Sequence, residues 1–348
     1  MNRSYLDRRE VLRFGVAALA GGIGFIAGCK PAGNPASSGE NAAIRHVNIV
    51  NTASNNTYAL QELLNQRGYL REFGLEAKTL NVADGSKLIG ALLSGSSDIC
   101  LLSGFGQVLS AIEKGGQLKI LAGAGLLDEH AIYSAKPDIR SMKDLEGKTV
   151  ATGSPGALLH QLVVALLHKK GVDIKKVTFV NVGSSADVFR AVVAKTVDAG
   201  PALYDVYDQQ DKYGVHSLSD GNLWDELPEF TYQGSFVSAR AIAQKRDILV
   251  RTLAAYCKLY RFVQQPDSKD AFIHARMTAL KNNDTREGES VWNFIQAHKP
   301  YAVDLVLSSE RILYMQNLNL ELGVQNKLLA FDQVADMSLA QDALKLVG

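Results

Sequence analysis

Beta-rich runs alternate with amphipathic helical runs along this 348-residue chain, and small polar or glycine-rich loops join them; no other feature constrains its fold more. Residues 44–50 alternate polar and apolar side chains, which predicts a strand. Leu60, Leu63 and Leu64 then share one face of a helix over 58–67, which Gly68 ends. There follow a strand over 75–82, a helix through Leu88, Ile89 and Leu92, a buried strand over 98–102, a helix over 105–114 and a strand over 118–124. Strands and helices that alternate in this way predict an α/β architecture, with a mainly parallel sheet covered on both faces.

The pattern restarts after a helical turn at 141–145. Strands are predicted over 148–152 and 177–182 and a very short one over 198–200, with helices over 155–170, 185–194 and 203–211. An extended segment over 231–238 leads into a helical remainder at about 240–264, 268–281, 286–298, 302–321 and 337–346.

The first residues read as an address. Residues 1–13 are polar and basic, and the apolar run over 14–27 is shorter than the roughly 20 residues that span a bilayer. It suits the apolar core of a signal peptide. Ile26-Ala-Gly-Cys29 resembles a bacterial lipobox, which makes Cys29 the expected lipidated N-terminus. Arg8 and Arg9, followed by Leu12 and Arg13, resemble a twin-arginine export signal. Residues 1–28 are therefore expected to be a signal peptide, and 29–43, rich in Pro, Gly, Ser and Ala, a flexible tether.

Charge and motifs narrow the chemistry. The chain carries 37 Lys and Arg against 36 Asp and Glu, a net charge of +1. Removing residues 1–28, with four arginines and two acids, turns this to −1, which supplies no field for holding nucleic acid. Cys100 and Cys257 lie far apart without a C-x-x-C pair and are expected to be buried apolar residues. The seven histidines show no metal-binding spacing, and no cofactor or metal is expected. Gly123-Ala-Gly125 lacks the rest of a dinucleotide fingerprint, and Gly183-Ser-Ser-Ala-Asp187 lacks the closing glycine of a hydrolase elbow. What recurs instead is a strand, a small polar loop and a helix, with loops at 52–55, 83–85, 103–105, 153–156 and 183–185. In open α/β sheets such loops lie where ligands bind, and helix N-termini offer free N–H groups there. Each loop taken alone reads first as an ordinary turn and helix cap, and only their convergence points to binding.

Four segments carry a family resemblance: Gly68-Tyr-Leu-Arg-Glu-Phe-Gly-Leu75, Leu92-Leu-Ser-Gly-Ser-Ser-Asp-Ile99, Ile139-Arg-Ser-Met-Lys-Asp-Leu-Glu-Gly-Lys-Thr-Val150 and Lys195-Thr-Val-Asp-Ala-Gly-Pro201. In this order they resemble the solute-binding proteins of ABC transporters for nitrate, sulfonates, taurine and thiamine precursors. The resemblance implies a two-lobe periplasmic-binding-protein type II fold with a helical C-terminal extension. Residues 44–131 would begin lobe 1, 132–233 would form lobe 2, and 234–348 would complete lobe 1. By position, it implies ligand contacts at Ser54, Asn55, Tyr58, Ser103 and Phe105 in the first lobe. In the second they would be Ser154, Gly156, Ser184, Tyr204 and Asp205. The implied protein is a lipid-anchored, monomeric, non-enzymatic binder at the periplasm or the outer face of the cytoplasmic membrane. It would pass a small sulfonate, carboxylate, nitrate-like anion or pyrimidine-like ring to an ABC permease. A lyase-like enzyme on the same fold, or a sensory lipoprotein partner of a membrane receptor, is the alternative.

Overall fold

Alternation in the first hundred residues produces the strands where the pattern places them. A computed structural model of the chain describes residues 44–83 and 85–348. The features read at Arg8, Arg9, Cys29 and the tether lie outside the described residues. β1 (Arg45–Thr52), β2 (Leu75–Val82), β3 (Ile99–Ser103) and β4 (Leu118–Gly123) follow one another with helices between them. They are followed by β5 (His130–Ser134), β6 (Thr149–Thr152), β7 (Thr178–Asn181), β8 (Gly200–Leu203), β9 (His216–Asn222) and β10 (Gly234–Ser238).

The first sheet has the order β2-β1-β3-β10-β4. β1 runs parallel to β2 and β3, whereas β10 is antiparallel to both β3 and β4. Every residue of β3 is buried, as expected of a strand covered on both faces. β2 forms the outer edge and presents Glu76 and Lys78 to solvent, charges that discourage pairing with another chain. In the second sheet β5 pairs antiparallel with β8 and β9, and β6 pairs parallel with β7. A parallel bridge between Val150 and Ala199 links the two groups. The resulting order, β7-β6-β8-β5-β9, repeats that of the first sheet: in both, one reversed strand lies between the third and fourth strands of a parallel run.

The helices bury the faces their sequences specify. Leu159, Leu162, Val163, Leu166 and Leu167 of the Leu158–Lys169 helix are buried. The long Ala239–Val263 helix buries Leu249, Leu253, Tyr256, Cys257 and Tyr260 in the core cluster that contains the first sheet. Cys100 and Cys257 are free buried thiols, and burial raises the pKa of both.

Three local expectations are corrected. β9 was not signalled, because His-Ser-Leu-Ser-Asp-Gly-Asn is polar and poor in β-formers and pairs through its backbone with β5. The helix predicted over 203–211 is a 3-10 segment, Tyr204–Gln209, followed by one short turn that Gly214 closes in the left-handed region. The helix predicted from 302 begins only at Ser309. Residues before it serve the first sheet instead: Ala302 N–H donates to Ala124 O, and Leu305 O accepts from Gly123 N–H.

Gly200 shows how tightly the second sheet meets its helix. A Cβ at this position would stand 2.5 Å from Val188 Cγ1 and 3.1 Å from Ala151 O. Val188 is fully buried on the Ser185–Val193 helix and cannot swing away. Gly200→Ala is therefore expected to cost about 1–3 kcal/mol of stability, read from urea unfolding. A loss within experimental error would show that this contact has slack.

Candidate functional site

Each functional loop is set by the end of a strand and the start of a helix. Ser54 follows β1 and caps the Asn55–Arg67 helix, its Oγ accepting from Thr57 N–H at 3.0 Å. Ser103 ends β3, and its Oγ lies 2.6 Å from Thr52 Oγ1. Ser184 caps the Ser185–Val193 helix: its hydroxyl donates to Asp187 Oδ2 at 2.6 Å and accepts from Asp187 N–H at 3.3 Å. The hydroxyl bond, with a second from Ser184 N–H to the same oxygen at 2.9 Å, holds the Asp187 carboxyl below the usual carboxylate range. Gly106 opens the helix after β3, where a Cβ would meet the Gln161 carboxamide at 2.1 Å. Any side chain here would have to displace that buried carboxamide, which brings the Gly106–Glu113 and Leu158–Lys169 helices close.

Loops after β1, β2, β3, β6 and β7 converge on one cavity of about 270 Å³. Ser54, Ser103, Ser154 and Ser184 line it, together with Ser185, His130 and Tyr232. Among the described lining residues there is no Lys, Arg, Asp or Glu. A second, wider chamber of about 770 Å³ shares Ala53, Ser54, Ala83, Ser184 and Ser185 with the first. Phe189, Val193, Val206 and Tyr213 give it an apolar wall, and Asn55, Tyr58, Arg190, Asp205 and Glu287 line it as well.

Seven of the ten expected contact residues thus reach one chamber or the other, and three do not. Phe105 is fully buried, its ring against the backbone of Gly234, because an apolar ring at the start of the Gly106–Glu113 helix gains more in the core. Gly156 takes φ +74° and faces Val324, and its N–H donates to His160 Nδ1 at 3.2 Å. Tyr204 stacks on Tyr207 with ring centroids 4.8 Å apart and packs against Trp224 and Phe294. Asp205 lines the wider chamber, but its carboxylate is engaged, accepting from Asn55 Nδ2 and Arg276 Nη2, both at 2.9 Å.

The family resemblance places the crossings between the sheets near 130–133 and 231–234, but sequence reasoning singled out none of the charged residues at the first of them. Asp128, Glu129 and His130 are buried where the chain passes from β4 into β5. His130 Nδ1 lies 2.9 Å from Asp128 Oδ1, its Nε2 lies 3.1 Å from Ser185 Oγ, and its ring meets Tyr232 edge-on. Burial works to lower the imidazole pKa, but the negative charge and hydrogen bond of Asp128 outweigh it and the net shift is upward. Burial pushes the Glu129 carboxyl up to about 7, against the hydrogen bond it accepts from Asn56 Nδ2 at 2.6 Å. Asn56 Oδ1 in turn accepts from Arg276 Nη1 at 2.7 Å. The run Asp128-Glu-His130 at the entry to β5 was the available signal, since three polar residues there must all find partners.

No curated protein matches the chain. Solved structures match its fold. The chain is similar to the alkanesulfonate-binding protein SsuA from Xanthomonas axonopodis pv. citri bound to MOPS: 20% identity over 84% of this chain and 99% of that one, TM-score 0.70. It is similar to the periplasmic nitrate-binding protein NrtA from Synechocystis PCC 6803: 13% identity over 88% of this chain and 89% of that one, TM-score 0.70. The desulfurization enzyme DSZB shares 14% identity over 86% of this chain and 99% of that one, TM-score 0.61. The architecture is the periplasmic-binding-protein fold. The NMT1/THI5-like family model matches residues 63–268, more than half of the sequence, and the chain belongs to that family.

Proposed function

We propose that the chain is an extracytoplasmic solute-binding protein that captures a small solute between two lobes and delivers it to an ABC permease. The observation that carries this reading is the convergence of five strand-to-helix loops, drawn from two sheets of the same strand order, on one serine-lined cavity. Free N–H groups at the helix starts and the serine hydroxyls suit an anionic or carbonyl-bearing ligand. Likeness to a sulfonate-binding and a nitrate-binding protein supports the same class of solute. In this reading residues 44–131 and 234–348 form one lobe and 132–233 the other, and hinge closure presents a distinct shape to the permease. Export through the Arg8-Arg9 signal and a lipid on Cys29 would hold the protein, as a monomer, at the membrane face. Among the described residues no helix is long and apolar enough to cross a membrane.

Thermal unfolding of the full chain against sulfonates, nitrate, aromatic carboxylates and pyrimidines tests the proposal. A true ligand at 100 times its Kd is expected to stabilise the native state by about 2.7 kcal/mol. Ser54→Ala and Ser154→Ala are each expected to weaken that stabilisation. A panel in which no compound moves the transition, or a hit indifferent to both substitutions, counts against the cleft as the binding site.

A further inference from the structure

Asp128, His130 and Ser185 are joined in series. Asp128 is fully buried, and its Oδ1 accepts from both the backbone N–H of His130 at 2.8 Å and Nδ1 of the imidazole at 2.9 Å. That second bond places the ring proton on Nδ1 and leaves Nε2 to accept from Ser185 Oγ at 3.1 Å. His130 is only 1% exposed, so its orientation is locked. Ser185 is half-buried and lines both chambers. It is also the first residue of the nine-residue Ser185–Val193 helix. The first N–H groups of a helix have no acceptor within it, so Ser185 and Ala186 bring such donors within one residue of the hydroxyl. A hydroxyl, a base bonded to it, a carboxylate orienting the base and nearby backbone donors are the parts that acyl transfer needs.

We propose that Ser185, His130 and Asp128 form a nucleophilic relay that cleaves a carboxylic ester bound in the cleft. The proposal rests on the cleft being a ligand site and goes beyond capture. Ser185 Oγ bonds to the acyl carbon as its proton passes to His130 Nε2. The ester C–O bond then breaks, and the departing oxygen takes that proton as an alcohol. Water adds to the acyl-serine and gives a proton to Nε2. The serine ester bond breaks, the proton returns to Ser185 Oγ, and the carboxylic acid leaves. Asp128 is a positioning residue that holds the tautomer and offsets the imidazolium charge. The position of Ser185 sets the substrate class. It stands between the small serine-lined chamber and the wide chamber walled by Phe189, Val193 and Val206, whose lining also holds Arg190, Asp205 and Glu287. The ester therefore joins a small group that fits about 270 Å³ to a larger, mainly apolar chain or ring.

The other groups around His130 are accounted for. Asp205 adds negative charge near it, as does Glu129 once it ionises around pH 7, and Tyr232 and Ser185 face its ring. Relay activity therefore rises with pH as the imidazole loses its proton.

The test treats the full chain with an alkyl fluorophosphonate, which forms an Oγ–P bond and releases fluoride, and maps the adduct by peptide mass spectrometry. The expected result is one adduct, on Ser185, absent in Ser185→Ala and formed at least 100-fold more slowly in His130→Gln. Asp128→Asn is expected to move the midpoint of the labelling pH profile downward, a change that mere loosening of the fold would not produce. Hydrolysis of p-nitrophenyl butyrate by wild type and not by Ser185→Ala completes the positive case. No adduct on wild type, an adduct on another serine, or an unchanged rate in His130→Gln overturns the relay. Ligand-induced stabilisation of Ser185→Ala separates the readings: if it persists without labelling of wild type, capture stands and catalysis falls.

Discussion

Replacing Arg276 by alanine is expected to lower folding stability by about 3–5 kcal/mol, among the largest effects of any single substitution in this chain. The guanidinium is 3% exposed and donates to Asn56 Oδ1 at 2.7 Å and to Asp205 Oδ2 at 2.9 Å, with Glu287 Oε2 at 3.8 Å. Removing it strands the buried Asp205 carboxylate without its counter-charge and leaves Asn56 with an unpaired acceptor. The cost is mainly that of the charge left behind, so Arg276→Met is expected to be nearly as damaging as alanine. Adding Asp205→Asn to Arg276→Met should recover most of the loss. Urea unfolding of the single and double variants reads the coupling directly. A loss below about 1 kcal/mol in Arg276→Ala would mean that water reaches Asp205 and the pair is not truly buried.

A second large effect depends on pH and comes from Glu129. Its carboxyl is pushed up from an ordinary 4.5 to about 7 by burial, so between these values the folded chain keeps a proton that the unfolded chain has released. Stability from this group is therefore fully present below pH 4.5 and is lost as pH rises through about 7. The loss across that window is about 3 kcal/mol. Glu129→Gln keeps an oxygen to accept from Asn56 Nδ2 and carries no charge at any pH. The variant is expected to lack this slope and to exceed wild type by roughly 3 kcal/mol at pH 8, with the two converging near pH 4.5. Denaturation midpoints measured from pH 4 to 9 would sink the idea if the curves ran parallel.

Much of the scaffold is legible in the order of residues, because β1 to β4 and their helices obey local periodicities that tertiary packing reinforces. β9 is not legible, since nothing local in a polar heptapeptide announces that β5 will pair with it. The reversed direction of β10 is likewise a property of its neighbours and not of its own sequence. The serine-lined cavity follows from the strand-to-helix loops, where hydroxyls both cap helices and face the space between sheets. Phe105 and Tyr204 mislead because an aromatic beside such a loop serves a ligand or the core equally well by type, and packing alone decides. Asp128, His130 and Ser185 escape any spacing rule because 55 residues separate the imidazole from the hydroxyl that it meets.

The reversed strand of the first sheet also orders the birth of the molecule. β3 and β4 touch one another only through β10, which leaves the ribosome about 110 residues after β4. All five strands of the second sheet, from His130 to Asn222, emerge in the interval and can close locally. The half that is synthesised first is therefore completed last, through pairings of long sequence separation that form slowly. Until Gly234 arrives, two apolar strands stand with a vacant lane between them, and a nascent chain in that state is the one a chaperone has most reason to hold.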